Sequence, residues 1–164
     1  MPAEPRPRRI LFVCTGNSCR SVMAEFYLRF LLKRAGITDI AAESAGVFAV
    51  QGMSASRETT ELLRALGIDC SAHRSRPLTR ELAESADLIL VMERFQGDEA
   101  LRCAPDTAGR VHLLRAWGAA PGSVPGDPNI PDPVGKPLEV YETCFATIQE
   151  PVDRVAAALI GGLR

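Results

Sequence analysis

Ile10-Leu11-Phe12-Val13-Cys14-Thr15-Gly16-Asn17-Ser18-Cys19-Arg20-Ser21-Val22-Met23 is the stretch on which the fold turns. Ile10 to Val13 is a short apolar run without polar alternation, the pattern of a strand buried on both faces. Cys14 to Ser21 is small and polar, and Gly16 and Asn17 both tolerate positive φ. From Ser21 the apolar spacing becomes helical, through Val22, Met23, Phe26, Leu28, Phe30 and Leu31, with Gly36 as the stop. Strand, tight loop and helix in that order are the start of a parallel sheet whose crossovers are helices.

The rest of the chain repeats the alternation. Ile40–Ala45, Leu88–Met92 and Val111–Leu114 read as three more buried strands. Arg57–Leu66, a short segment opening at Thr79, and Phe95–Cys103 read as helices between them. Pro137–Leu159 carries a helical stripe of Val140, Tyr141, Cys144, Ile148, Val152, Val155 and Leu159, which Pro151 is expected to kink or divide. The fold class is therefore α/β: a doubly wound, four-stranded parallel sheet with helices on both faces. Residues 9–164 form one domain behind a flexible Pro/Arg-rich leader, residues 1–8. Ligands in such sheets bind beyond the carboxyl ends of the strands. The Cys14–Arg20 loop leaves strand one at that end. So does Gly118–Pro137, a segment with six prolines and four glycines whose length marks it as functional.

Composition removes several classes of function. The chain has 164 residues, a formal net charge of −1 and a pI near 6.1, so no bulk field attracts nucleic acid or an anionic membrane. Aromatics at 5% argue against a stacking platform for single-stranded nucleic acid. The 17 arginines against two lysines are a compositional bias rather than a binding face. Residues 1–9 lack the apolar core of a secretory signal, and no apolar run approaches the roughly 18–20 residues that span a bilayer. Five cysteines cannot all pair within one chain, and none forms a C-x-x-C zinc or redox motif, so no metal is expected. A reducing cytoplasm is the implied compartment.

Spacing alone singles out two C-x5-R matches, Cys14–Arg20 and Cys70–Arg76. A phosphate cradle needs successive backbone N–H groups turned inward and gains from a helix N-terminus aimed at the anion. Only the first match has a preceding strand, Gly16 and Asn17 in the loop, and a helix behind it. There the amides, the helix dipole and Arg20 all favour a Cys14 thiolate, with the Ser21 hydroxyl as a hydrogen-bond donor to it. Such a sulfur attacks phosphorus to form a cysteinyl-phosphate, while Arg20 holds two phosphoryl oxygens and the loop amides hold the rest. The leaving group needs a general acid. Asp127-Pro128 and Asp132-Pro133 both offer a carboxyl on a stiffened loop, and spacing does not choose between them.

Val13 to Ser21 with Met23-Ala24-Glu25 resembles the low-molecular-weight protein tyrosine phosphatases, including their protein-arginine-phosphatase-like members. The likeness continues through Ser44-Ala45-Gly46, Ala72-His73, Ala86 to Met92, and Ile130 to Asp132-Pro133 with Gly135, Leu138, Glu139 and Tyr141. It implies hydrolysis of phosphotyrosine on a protein or peptide, without a cofactor, with inorganic phosphate as product and inhibitor. It implies Cys14 as nucleophile, Arg20 as phosphate clamp and Asp132 as general acid. Thr15, Gly16, Asn17, Ser18, Cys19 and Ser21 complete the phosphate loop, and Ser44 and His73 support it. Cys19 matches a second cysteine that traps an oxidised Cys14 as a disulfide.

The departures bear on substrate. Val134 and Gly135 stand where tyrosine phosphatases of this family place aromatics, leaving Phe48 and Val134 as the candidate pocket wall. Ser18 is small where a larger aliphatic is usual, and the pattern from Asp132 to Tyr141 resembles the protein-arginine phosphatases. A protein-arginine phosphatase is the alternative. Thioredoxin-coupled arsenate reductase is a third, with a cysteine expected at the end of strand three, where Met92 stands.

Overall fold

A computed structural model of the chain describes residues 5–124 and 126–161. Its four strands are β1 (Arg9–Cys14), β2 (Ala41–Gly46), β3 (Leu88–Val91) and β4 (Val111–Leu113). The helices are α1 (Arg20–Arg34), α2 (Arg57–Ala65), α3 (Arg80–Ser85), α4 (Arg94–Cys103) and α5 (Leu138–Gly161), with a 3-10 segment at Pro105–Arg110. All strand pairs are parallel, in the order β2-β1-β3-β4. The chain steps from β1 to β2 on one side, then crosses to β3 on the other, so β1 and β3 flank the switch point where ligands bind in open α/β sheets.

The unbroken apolar runs have the use their pattern implies. Ile10, Phe12, Leu88 and Leu90 point into one core with Met23 and Leu28 of α1 and Ile148, Val152 and Val155 of α5. Leu11, Val13, Ile89 and Val91 point into a second, smaller core with Ala83 of α3 and Ala104. The central strands β1 and β3 therefore bury both faces, while the edge strand β4 leaves His112 exposed between half-buried Val111 and Leu113.

One expectation is narrowed. Pro151 does not divide the closing helix: α5 runs continuously from Leu138 to Gly161. A proline inside a helix costs about 3 kcal/mol. Tyr141, Phe145, Ile148, Val152 and Leu159 are buried along one face, and at about 1.5–3 kcal/mol for each large side chain that packing outweighs the missing hydrogen bond. The described part of the leader makes contacts with the domain. Arg6 pairs with Asp39 and donates to the Leu159 carbonyl, and the N–H groups of Arg8 and Arg9 both donate to Asp87 Oδ2; residues 1–4 lie outside the described residues.

The long segment after β4 contains no helix or strand among its described residues, yet it is not loosely attached. Ile130 is buried, its N–H donates to the Met92 carbonyl at 2.9 Å, and the Asn129 side chain accepts from the N–H of Arg94. These bonds carry the segment back over the carboxyl ends of β1 and β3. No helix among the described residues is long and apolar enough to cross a membrane.

Candidate active site

Cys14 ends β1, and the loop 15–19 delivers the chain to Arg20, the first residue of α1. Asn17 takes φ 55°, the one positive φ at a non-glycine among the described residues. A side chain in the left-handed region is strained unless its surroundings hold it, and here they do. Asn17 Oδ1 accepts from the N–H of Arg76, which fixes the amide orientation; Nδ2 then donates to Ser21 Oγ at 2.8 Å and to Ser44 Oγ at 2.9 Å. His73 Nε2 meets the Asn17 carbonyl at 2.8 Å, its ring set edge-on to Phe26. Gly16, by contrast, keeps negative φ and stands exposed, with room for a Cβ.

This lattice has a consequence for the sulfur. Because Ser21 Oγ already accepts from Asn17, its own hydrogen is free for Cys14 Sγ, 2.9 Å away, and the N–H of Asn17 donates to the same sulfur at 3.3 Å. Behind the loop, the Ser44 hydroxyl donates to Glu25, which also pairs with Arg29 at 2.6 Å. Burial pushes the Glu25 carboxyl above its ordinary range against the opposing pull of Ser44, Arg29, His73 and Arg76. Gly46 lies directly against the loop: a Cβ there would stand 2.4 Å from the Thr15 carbonyl and 2.9 Å from the Asn17 nitrogen.

Arg20 is 1% exposed. Nη1 donates to Glu93 Oε2 at 2.8 Å and to the Ile130 carbonyl at 2.7 Å, while Nη2 lies 3.5 Å from both Thr15 Oγ1 and Asp132 Oδ2. Burial works against its charge, but Glu93, Cys14 and Asp132 outweigh that and hold its pKa above the ordinary value. Asp132 is partly exposed, and its Oδ1 accepts from the N–H of Val134 in a turn of its own. The cavity so formed measures about 230 Å³ and is lined by Cys14, Thr15, Gly16, Ser18, Cys19, Arg20, Asp132 and Val134. The Cys19 side chain does not cap α1, so the first-turn N–H groups stay open to an anion. A buried sulfur under one carboxyl and one guanidinium, with amides beneath, can hold a tetrahedral dianion and transfer it to sulfur.

The structure thus brings Cys14, Arg20 and Asp132 together, with Asn17, Ser21, Ser44 and His73 in one network behind them. Asp127 does not line the cavity; its carboxylate accepts from the N–H of Asn129. Phe48 is not in the cavity wall either. Its N–H and that of Val47 continue the pairing of β2 onto the Thr15 and Cys14 carbonyls, and the ring stands 64% exposed outside; of the two candidates only Val134 faces the pocket. Cys19 lies beneath the loop, its thiol 3.3 Å from Ser56 Oγ and 3.8 Å from the Tyr141 hydroxyl. Burial and Cys19 push the Tyr141 phenol up to about 12. Among the described residues no group of three His, Cys, Asp or Glu stands close enough to hold a metal.

Sequence reasoning missed Glu25, Glu93 and Gln96. The last two carry a signal, the E-x-x-Q spacing of a capping box at the start of α4. Glu25 stands in the stretch that carries the resemblance, but nothing in that stretch assigns it a role, since a carboxylate on the buried side of a helix has no pattern of its own.

Comparison with known proteins agrees with this geometry. Residues 9–161 match the family described as low molecular weight phosphotyrosine protein phosphatase. The chain is 35% identical to the protein-arginine-phosphatase of Geobacillus stearothermophilus, over 93% of this chain and 97% of that one. It is also 35% identical to the low molecular weight protein-tyrosine-phosphatase Ptp of Acinetobacter johnsonii, over 87% and 91%. Among solved structures, the arginine phosphatase YwlE, in a mutant with a phosphorylated active-site serine, superposes with a TM-score of 0.83 at 32% identity over 92% of this chain and 95% of that one. The tyrosine phosphatase Wzb from Escherichia coli with sulphate gives 0.80 at 30% identity over 94% and 99%.

Proposed function

Because the chain belongs to the low molecular weight phosphotyrosine protein phosphatase family, we propose that Cys14 is the nucleophile with which it hydrolyses phosphotyrosine on proteins. The observation that carries this is the convergence on one cavity of Cys14 Sγ, two hydrogen-bond donors to it, the Arg20 fork and the Asp132 carboxyl.

In the first step the Cys14 thiolate attacks phosphorus. The S–P bond forms, the ester P–O bond breaks, and the departing phenolate takes the Asp132 proton. In the second step a water gives its proton back to Asp132 and its oxygen to phosphorus, releasing inorganic phosphate and the thiolate. Arg20 Nη2 and the loop amides hold the three equatorial oxygens, donors worth about 10²–10³ in rate each when aimed at developing charge. The Ser21 hydroxyl stabilises the thiolate each time it is formed. Asn17, Ser44 and His73 keep the loop in its strained shape, and Cys19 guards Cys14 by disulfide formation after oxidation. A reducing, cytoplasmic setting would keep the Cys14 thiol available for this chemistry.

A protein-arginine phosphatase is the second activity the site accommodates. The observation that favours it is a cavity walled by Ser18 and Val134 and not by an aromatic ring, in company with relatives bearing that name. The same two steps serve, with the P–N bond breaking and Asp132 protonating the guanidine. Rates on phosphotyrosine and phosphoarginine versions of one peptide decide between them. A kcat/KM at least tenfold higher on phosphotyrosine supports the first activity; the reverse ratio assigns the second. For arsenate reduction the end of β3 offers fully buried Met92 in place of a thiol, which weighs against it.

A further inference from the structure

Arg20 enters the cavity with its charge already matched. In a buried guanidinium the two terminal nitrogens share the work of anchoring and of binding substrate. Here Nη1 is wholly engaged, by Glu93 Oε2 at 2.8 Å and the Ile130 carbonyl at 2.7 Å, and Nη2 faces the cavity. Glu93 is itself held from three sides. Gln96, fully buried, donates from Nε2 to Glu93 Oε2 at 3.3 Å and to Thr15 Oγ1 at 3.1 Å, and its backbone N–H completes the capping box onto the Glu93 carboxylate. Gln96 Oε1 accepts from the N–H groups of Met92 and Glu93 at 2.9 Å each, which ties the assembly to the end of β3. One side chain thus connects the strand end, the helix start, the phosphate loop and the carboxylate behind Arg20.

We propose that Glu93, locked by Gln96, is a positioning residue that presets the Arg20 fork for the phosphoryl group; this rests on the phosphatase activity proposed above. A guanidinium buried without a counter-charge would swing toward solvent or toward Asp132, and the incoming phosphate would have to reorder it at the moment of reaction. With Nη1 pinned, only the grip of Nη2 on the phosphoryl group remains to be made. The same pin reaches the general acid, because the Ile130 carbonyl sharing Nη1 lies two residues before Asp132.

The test separates this from a merely structural cap. Glu93→Ser keeps a favoured N-cap for α4 but is too short to reach Arg20; Glu93→Gln keeps the reach and an acceptor. Turnover of para-nitrophenyl phosphate gives kcat/KM, and calorimetry with inorganic phosphate gives an affinity that needs no turnover. Glu93→Ser should lower kcat/KM by about 10²-fold and weaken phosphate by roughly tenfold. Glu93→Gln should return both to within about fivefold of wild type, with melting temperatures unchanged. In an Arg20→Lys background, which has no fork to orient, Glu93→Ser should add less than about twofold. The proposal is overturned by a Glu93→Ser protein within twofold of wild type, by equal losses in the Ser and Gln variants, or by a loss just as large in the Arg20→Lys background. A wild-type protein inactive on every phosphate would overturn the phosphatase activity instead, and phosphate affinity would still judge Glu93.

Discussion

At the scale of single residues the site rests on unequal chemistries. Asp132 and Asp127 look alike in sequence, each before a proline, and the structure separates them by what their carboxylates face: Arg20 and the cavity for one, its own turn for the other. Asp132→Ala should therefore slow substrates with leaving groups of high pKa most, by about 10²–10⁴-fold, and leave activated esters nearly untouched. Asp127→Ala should leave the whole series within twofold. A leaving-group series measured on both variants checks this, and an equal steepening in Asp127→Ala would reassign the acid. Asn17 joins local strain to function. Its side chain makes three hydrogen bonds, each worth a net ~0.5–1.5 kcal/mol. Asn17→Ala should cost about 2–4 kcal/mol, read as a drop in Tm of roughly 5–15 °C. Asn17 is legible in the sequence because few residues tolerate left-handed φ. Glu93 is legible only as a helix cap, because its partner Arg20 lies 73 residues away and only the fold joins them.

At the scale of elements, the identities of β1 and β3 follow from apolar runs too short for helices and too uniform for half-buried strands. The closing helix is harder. Pro151 is a local signal against continuity, and the buried stripe on α5 is a tertiary signal for it; local preference loses to packing. Pro151→Ala should restore the hydrogen bond to the preceding turn and relieve about 3 kcal/mol of helix penalty, while giving up about 1–2 kcal/mol of ring burial. Tm should rise by a few degrees with activity unchanged, and a fall would mean that the ring matters more to the core than its backbone costs. The end of β2 carries the opposite lesson. Gly46 punctuates the strand in sequence, but its reason is a contact with the phosphate loop 31 residues upstream in the chain. Gly46→Ala drives a Cβ against backbone, which has no rotamer by which to yield. That variant should fold yet bind inorganic phosphate at least tenfold more weakly, measured by calorimetry.

At the scale of the whole molecule, a near-neutral chain holds its anion site by local means and carries a buried, only partly compensated carboxyl behind it. Glu25 joins α1 to β2 through Ser44 and is 4% exposed. Two influences on it conflict: the 2.6 Å pair with Arg29 favours the carboxylate, and burial favours the acid. Arg29 is half exposed, so water screens its charge, and burial prevails. The sign of the linkage follows. A carboxyl whose folded pKa is raised binds its proton more tightly in the native state than in the unfolded one. Its contribution to stability is full below its ordinary value of 4.5 and is lost as pH rises through the raised folded value. Glu25→Gln is neutral at every pH and keeps an acceptor for Ser44, so it removes this dependence alone. The melting temperature of wild type minus that of Glu25→Gln should therefore shrink as pH is raised above about 4.5 and level off once pH passes the raised folded value, the other titrating groups cancelling in the difference. A difference that grows with pH would mean that Arg29 holds Glu25 ionised throughout, and that the network behind Asn17 is anchored by charge and not by a shared proton.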